Sequence, residues 1–410
     1  MIGRVAVSYA LRSLWRNPRR SVLSMLGAGI GTALGLLATS WASGAAEMQI
    51  RAVAESGAGH IRVVSAEWPE TRENALRLAE YERAVAAVGA MPGVRRIAAR
   101  ARANGLLAFG NRTAAVEISG VDPIAESSFN RIITMAKLEG RYLQPGDREH
   151  VVIGRELAKR LRVRLDDDLM VTVAGKEELN SAMLRVVGLL ETGSRDIDSG
   201  ICHVTLKEID TLAGRPGPAE IAVLLDDYHK IDDTRTALRS RLPAGSTAIT
   251  WKESNPELAG NVEGDRAFTR LLILIIVVVV ALGIASAQLT AVLERRREFG
   301  VLAALGMKGR QLLALILLES ALVGVGGAVV ALVLAGPVTY WLATHGVNIG
   351  DMMNGLSIGN VLFDPIVYGD FGAWVIGYAF AVAVGATLAA SLLPARFATK
   401  ADPAQALRAA

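Results

Sequence analysis

The sequence predicts an α-helical membrane protein with four transmembrane helices and a large extracytoplasmic α+β domain inserted between helices 1 and 2. Two observations lead to this fold class. Hydrophobic residues make up 51% of the 410-residue chain, more than in most soluble proteins. They also concentrate in four aliphatic runs, and about 220 residues of mixed composition separate the first run from the second.

Each aliphatic run is long enough to cross a hydrocarbon layer about 30 Å thick as a helix. The first run has no charged residue between Arg20 and Glu47. Its length, without a small-residue cleavage site at a normal distance, predicts an uncleaved span and not a signal peptide. The predicted spans are residues 21–46, 267–293, 312–336 and 371–395.

Basic residues are concentrated on one side of the spans, and they predict the orientation because lysine and arginine are retained in the cytoplasm. Segments 1–20, 294–311 and 396–410 carry 13 basic and three acidic residues, a net charge of +10, whereas the 337–370 loop has no lysine or arginine. The whole chain is +4, so the remainder carries −6. We expect both termini and the 294–311 loop in the cytoplasm. The isoelectric point of 9.3 then reflects topology and not nucleic-acid binding.

The amino-terminal segment 1–20 is predicted to be an interfacial amphipathic helix, because Val5, Tyr9 and Leu14 share one side and arginines lie on another. The 47–266 segment is predicted to fold as an α+β domain outside the cytoplasm, since short β-like runs alternate with helix-like segments. The β-like runs are 61–64, 114–118, 150–154, 169–173, 184–190 and 220–225. Helix-like segments include 72–88 and 155–161.

The 47–266 segment contains no HExxH, CxxC or G-x-S-x-G motif, and the chain has no GxxxxGK[ST] phosphate loop. Asp166, Asp167 and Asp168 lack the alternating carboxylates and bend glycine of a calcium loop. Cys202 is the single cysteine and cannot form an intrachain disulfide. We therefore expect a chain that is not an enzyme and has no catalytic, cofactor-binding or metal-binding residues. Structural roles are expected for four widely spaced histidines: His60, His150, His203 and His229.

Several phrases occur in a fixed order along the chain. The 47–266 segment contains ISGVDP (118–123), EGRYL (139–143), VVIGRELAKRL (151–161) and RVVGLLETG (185–193). The second and third spans are joined by ERRREFGVLAALGMKGRQLLALILLES, from Glu294 to Ser320. With one span before the large domain and three after it, these phrases resemble the FtsX/MacB/LolC-LolE class of ABC transporter permeases, and the resemblance covers nearly the whole chain.

The resemblance implies a mechanotransmission machine in a bacterial inner membrane. Two permease chains, identical or different, would pair, and a separate ABC ATPase subunit would bind ATP and Mg²⁺, so this chain would hold no cofactor itself. A periplasmic carrier or an outer-membrane protein is a further expected partner. The lipid bilayer surrounds the spans, and no nucleic acid is involved. Because this chain begins almost directly at the membrane, the ATPase is expected to be a separate polypeptide and not fused as in MacB.

The same resemblance implies that the 294–311 loop couples to the ATPase. The expected interface residues are Arg295, Arg296, Arg297, Glu298, Phe299, Gly300, Gly306, Met307 and Lys308. The alternative for the arginines is that they only hold the topology and meet lipid phosphates. Glu319 is the acid well inside a span; it would pair with a neighbouring helix or face a substrate path.

The exported domain is larger than is usual in FtsX-like proteins, so the LolC/LolE subgroup is the nearest by resemblance. It implies extraction or export of lipoprotein or another amphipathic substrate. The alternatives are a MacB-like exporter of a peptide or small molecule, and an FtsX-like transducer that regulates a cell-wall hydrolase without transport. A secondary transporter is disfavoured because four spans without a repeat do not form the usual inverted-repeat core.

Overall fold

The computed structural model describes residues 12–16, 18–175, 178–304, 306–349 and 361–400. The chain divides into two compact units. A helical unit comprises Met1–Ala46, Glu263–Asn348 and Ile366–Ala410, and an α/β unit comprises Glu47–Val262 and Ile349–Pro365.

Twelve strands and fourteen α-helices are labelled here within the described residues. The strands are β1 Ile61–Ser65, β2 Val94–Phe109, β3 Arg112–Val121, β4 Lys137–Gly140, β5 His150–Gly154, β6 Asp168–Ala174, β7 Leu179–Glu191, β8 Cys202–Thr205, β9 Glu220–Leu225, β10 Ser246–Thr250, β11 Val347–Asn348 and β12 Ile366–Val367. The helices are α1 Pro18–Val53, α2 Trp68–Thr71, α3 Tyr81–Gly89, α4 Pro123–Phe129, α5 Arg131–Met135, α6 Arg155–Leu161, α7 Arg195–Gly200, α8 Leu206–Ala213, α9 Ile231–Arg239, α10 Trp251–Ser254, α11 Pro256–Glu294, α12 Arg296–Ala304, α13 Gly309–His345 and α14 Trp374–Lys400. A π-helical turn, Ala54–Ala58, follows α1, and a 3₁₀ turn, Tyr228–Lys230, precedes α9.

Four of the described helices are long and apolar enough to cross a membrane: α1, α11, α13 and α14. Small residues let α1 and α13 pack closely in the helical unit. A Cβ placed on Gly29 of α1 would lie 2.5 Å from Val330 of α13, and one on Gly326 would lie 2.6 Å from Met25. Because lipid provides no hydrophobic drive for helix association, such close van der Waals contact contributes much of the packing energy.

The α/β unit is built on a ten-stranded mixed sheet in the order β10-β1-β9-β2-β3-β8-β5-β7-β4, with β6 paired to β2 and β7. The pairs β3–β8 and β5–β7 are parallel, and the other pairs in this sheet are antiparallel. One buried cluster centres on Leu107, Leu157 and Leu184. A second includes Ile61, Val223 and Trp251.

The six β-like runs of the sequence fall inside β1, β3, β5, β6, β7 and β9, and the predicted helix 155–161 is α6. The predicted helix over 72–88 is wrong in its first half, because α3 begins only at Tyr81. Arg72 adopts a left-handed backbone conformation (φ 56°), and the Leu78 amide donates to the Pro218 carbonyl at 3.0 Å. The segment between them is therefore held by tertiary contacts and not by helical ones.

Residues 361–365 belong to the α/β unit, although they follow the third apolar helix in the chain. The Leu362 amide donates to Ser56 Oγ at 2.9 Å, and Arg131 pairs with Asp364 at 2.8 Å. Val361 is buried in the cluster that contains Trp251. The sequence does not predict that residues 361–365 pack against the α/β unit. The interior of the predicted 337–370 loop has no long apolar run and no alternating run that would indicate a helix or strand.

Candidate coupling site

The polar connection between the second and third apolar helices forms a separate short helix. α11 ends at Glu294, α12 spans Arg296–Ala304, and α13 begins at Gly309. Gly306 has φ 91°, a conformation that favours glycine, so it permits the turn between α12 and α13. The Lys308 amide donates to Gln311 Oε1 at 2.8 Å and closes the first turn of α13.

Arg295, at the break between α11 and α12, ties these helices to α13. Its Nη1 donates to the two carboxylate oxygens of Glu319 at 3.2 and 3.0 Å, and its Nε donates to Glu298 at 3.0 Å. The Arg295 and Glu319 side chains are 11% and 13% exposed. Their pairing offsets the cost of burying each charge, which an unpaired group would bear in full.

The amino-terminal helical turn at residues 12–16 joins the same network. Ser13 Oγ donates to Glu319 Oε1 at 2.9 Å, and Arg16 pairs with Glu298. Leu14 is buried, whereas the predicted partners Val5 and Tyr9 lie outside the described residues. Sequence reasoning did not single out Ser13 or Arg16 as site residues, because a serine and an arginine near a membrane edge carry no distinctive pattern.

Phe299 faces inward within the helical unit. It is 5% exposed and packs with Val292, Leu312 and Ile316, and the Arg295 guanidinium lies 5.2 Å from its ring centre. It therefore fixes α12 against α13. Two residues further on, Val301 is 47% exposed and belongs to the outward face of α12.

The structure brings the predicted interface residues onto one connection but gives them different surroundings. Gly300 is buried; Arg297, Gly306 and Lys308 are exposed, and Met307 is half-buried against the Phe299 cluster. Arg296 begins α12. The assignment of this connection to an ATPase interface stays a prediction, with Arg297, Gly306 and Lys308 as exposed members of the predicted set.

The histidines and the cysteine that were candidates for catalysis in the α/β unit have structural roles. His60 Nδ1 accepts from the Leu225 amide at 3.0 Å, and His203 Nδ1 lies 2.9 Å from the Tyr142 hydroxyl. Burial lowers the pKa of both His60 and His203 to about 4, so both imidazoles are neutral at neutral pH. Burial raises the pKa of the Cys202 thiol to about 12, which leaves it protonated and a poor nucleophile.

The acidic residues at the start of β6 also have structural partners. Asp166 has a left-handed backbone (φ 65°), Asp167 accepts from the Arg164 amide at 2.7 Å, and Asp168 pairs with Arg185 at 3.1 Å. Among the described residues, no group of three or more His, Cys, Asp or Glu side chains is placed to hold a metal ion. These carboxylates therefore stabilise the turn that leads into β6.

Comparison with known families agrees with this architecture. Residues 21–241 match the MacB-like periplasmic core domain, and residues 270–403 match the FtsX-like permease C-terminal region. The chain belongs to this family of membrane permeases, the FtsX/MacB/LolC class, as its sequence phrases indicate. It is a membrane protein with a large extracytoplasmic domain.

Three curated relatives illustrate the range within the family. The pyoverdine export ATP-binding/permease protein PvdT of Pseudomonas fluorescens is 25% identical over 98% of this chain and 59% of that protein. The macrolide export ATP-binding/permease protein MacB of Hyphomonas neptunium is 26% identical over 99% of this chain and 61% of that protein. The lipoprotein-releasing system transmembrane protein LolC of Xylella fastidiosa is 22% identical over 83% of each chain.

This chain thus spans about 59% of the length of the pyoverdine exporters that it matches. The relatives carry names of three different export systems, so they do not select the LolC/LolE subgroup that the sequence favours. That placement stays a prediction.

Proposed function

We propose that the chain is the permease subunit of an ABC transporter and that it couples ATP hydrolysis by a separate ATP-binding subunit to movement of its α/β unit. The observation that supports this most directly is the anchoring of α12 by Arg295. That residue contacts Glu298 on α12 and Glu319 on α13 at once. A displacement of α12 from the cytoplasmic side would therefore be transmitted to α13 through this ion pair.

In this proposal the ATP-binding subunit docks on the outward face of α12, around Val301 and the turn at Gly306 and Lys308. ATP and Mg²⁺ would be held by that subunit, because this sequence has no phosphate-binding loop of its own. Two permease chains would pair around a common path, as homodimer or heterodimer. Both termini would lie in the cytoplasm and the α/β unit in the periplasm of a bacterial inner membrane, as the basic flanks indicate.

For the substrate we favour lipoprotein or another amphipathic molecule, passed to a periplasmic carrier or an outer-membrane partner. The alternative within export is a peptide or small molecule, which the names of the pyoverdine and macrolide export relatives support. Regulation of a cell-wall hydrolase without transport is the alternative outside export.

The experiment is purification of the tagged chain from native membranes after site-specific photocrosslinking at position 301, with mass spectrometry of the crosslinked partner. We expect a partner with a GxxxxGK[ST] motif and ATPase activity in the purified complex. The matched variants, compared by co-purification without the crosslinker, are Val301→Asp, which puts a charge on the exposed face of α12, and Leu179→Asp, which does the same at a 74% exposed position of β7.

Val301→Asp should lower recovery of the ATPase about tenfold or more, since a desolvated charge at the centre of an interface costs several kcal/mol, and Leu179→Asp should leave recovery unchanged. Recovery that is equal for both variants would overturn the assignment of α12. A crosslinked partner without any nucleotide-binding motif would overturn the ABC transporter proposal itself.

A further inference from the structure

The α/β unit contains a cavity of about 630 Å³, a size typical of small-molecule sites. The π-helical turn after α1, helices α5 and α7, and the first turn of α11 form its walls. Aliphatic side chains on these walls include Val53, Ile132, Ile201 and Leu258. The cavity therefore has an apolar lining on the side formed by helices.

The sheet side of the cavity is charged, and the strand register explains why. Arg100 and Arg102 alternate on β2 and so point to one face, opposite the buried Ala101 and Ala103. Glu220 of β9 is the direct partner of Arg100 in the ladder. Neighbouring strands thus bring basic and acidic side chains onto a single face.

These charges are closely paired. Arg100 Nε donates to Glu126 at 2.7 Å, and Arg102 donates to Glu117 at 3.0 Å and to Glu220 at 3.1 Å. Arg62 of β1 also pairs with Glu220. Burial raises the pKa of Glu126, but pairing with Arg100 holds this pKa below its ordinary value, so the carboxyl group is ionised.

The arginines nevertheless have unused hydrogen-bonding capacity. Arg62 Nε, Arg100 Nη2 and Arg102 Nε are buried without an acceptor in the part of the chain that the structure describes. Arg62 and Arg100 are 6% and 3% exposed, and all three arginines line the cavity. Buried N–H groups in proteins are nearly always satisfied, so an acceptor from outside the chain is expected beside them.

The lining has both signs of charge. Besides the three arginines it includes Glu117, Glu126 and, in the first turn of α11, the exposed Glu257. Glu126 pairs with Arg100, and Glu117 pairs with Arg102. Glu257 is the third lining carboxylate, and none of the three cavity arginines bonds to it. A ligand with one negative and one positive end complements this arrangement better than a simple anion does.

We propose that this cavity binds a small zwitterion with an aliphatic side chain, such as a free amino acid or a dipeptide. Its carboxylate accepts from the arginine side, where planar guanidinium groups suit a carboxylate. Its ammonium group lies toward Glu257, and its side chain packs on Ile132, Ile201 and Leu258. The site is independent of α12 and of the coupling proposed above.

The test is isothermal titration calorimetry of the full chain in detergent with L-leucyl-L-leucine, and with N-acetyl-leucyl-leucine amide, which has the same side chains but no charged ends. We expect saturable binding of the free dipeptide and at least tenfold weaker binding of the blocked one. Equal binding of the two peptides would overturn the zwitterion assignment, and so would absence of binding by the free dipeptide.

Variants locate the site. Arg102→Gln should weaken binding about tenfold or more, because it removes a charged donor, and Glu257→Gln should weaken it about two- to fivefold, because the residue is exposed. Arg83→Gln, a 79% exposed arginine outside the cavity, is the matched control. Since Glu257 is exposed, Glu257→Gln does not depend on correct folding of the charged network. Unchanged affinity in both Arg102→Gln and Glu257→Gln would place the dipeptide elsewhere and overturn the proposal.

Discussion

The guanidinium group of Arg295, between α11 and α12, donates to both carboxylate oxygens of Glu319 in the third turn of α13. Glu319 lies ten residues from the start of α13, about 15 Å along the helix axis. A charge at this depth in an apolar helix is costly unless it is paired, and here its partner is the residue that begins the connection to α12. The pair therefore links the position of α12 to that of a long apolar helix.

We predict that Glu319→Ala lowers the free energy of unfolding by about 3 kcal/mol, because Arg295 keeps its charge but loses its principal acceptor. The measurement is reversible denaturation of the purified chain in mixed detergent micelles. The double variant Arg295→Leu, Glu319→Leu removes both charges and should recover most of the loss. A double variant as unstable as the sum of the single variants Arg295→Leu and Glu319→Leu would show that the pair contributes no coupling energy.

Phe299 and Val301, two residues apart on α12, provide a second test. We predict that Phe299→Ala lowers the free energy of unfolding by about 3–5 kcal/mol, since it leaves a cavity against Leu312 and Ile316. Val301→Ala should change it by less than about 0.5 kcal/mol, because Val301 is exposed. The same denaturation measurement compares them. Equal losses in the two variants would contradict the inward orientation of Phe299.

The polar connection itself could be predicted from the sequence, because charges and glycines interrupt two long apolar runs. The pairing of Arg295 with Glu319 could not. The two residues are 24 positions apart and lie on different helices, and the turn at Gly306 determines which side chains meet. Hydrophobic periodicity gives the faces of each helix but not the rotation of one helix against another.

The longest strand, β2, was missed for a different reason. Its sequence, VRRIAARARANGLLAF, has four arginines and many alanines, neither of which favours strands. The alternation is nevertheless present, since buried Ala101 and Ala103 face the core and Arg100 and Arg102 face the cavity. Charged residues are seldom fully buried unless they are paired, and the carboxylate of Glu220 that makes this burial tolerable lies about 120 residues later in the chain.

The buried histidines of the α/β unit predict how its stability depends on pH. His60 and His203 have pKa values lowered to about 4, against an ordinary value near 6.5. Between these values the unfolded chain binds more protons than the folded one, so the free energy of unfolding falls as the pH falls. The loss of stability is absent above about pH 6.5 and reaches up to about 3 kcal/mol per histidine by pH 4.

The measurement is urea unfolding of the full chain at several pH values, followed by hydrogen exchange in β8 and β9. Between pH 6.5 and 5 the histidines dominate, because the paired carboxylate Glu126 titrates below its ordinary range. His203→Gln should roughly halve the slope in this interval, since one of two buried imidazoles is removed. His229→Gln, at an exposed position, should leave the slope unchanged. Identical slopes for all three proteins would mean that His203 is protonated in the folded state, which contradicts its burial beside Arg100 and Arg102.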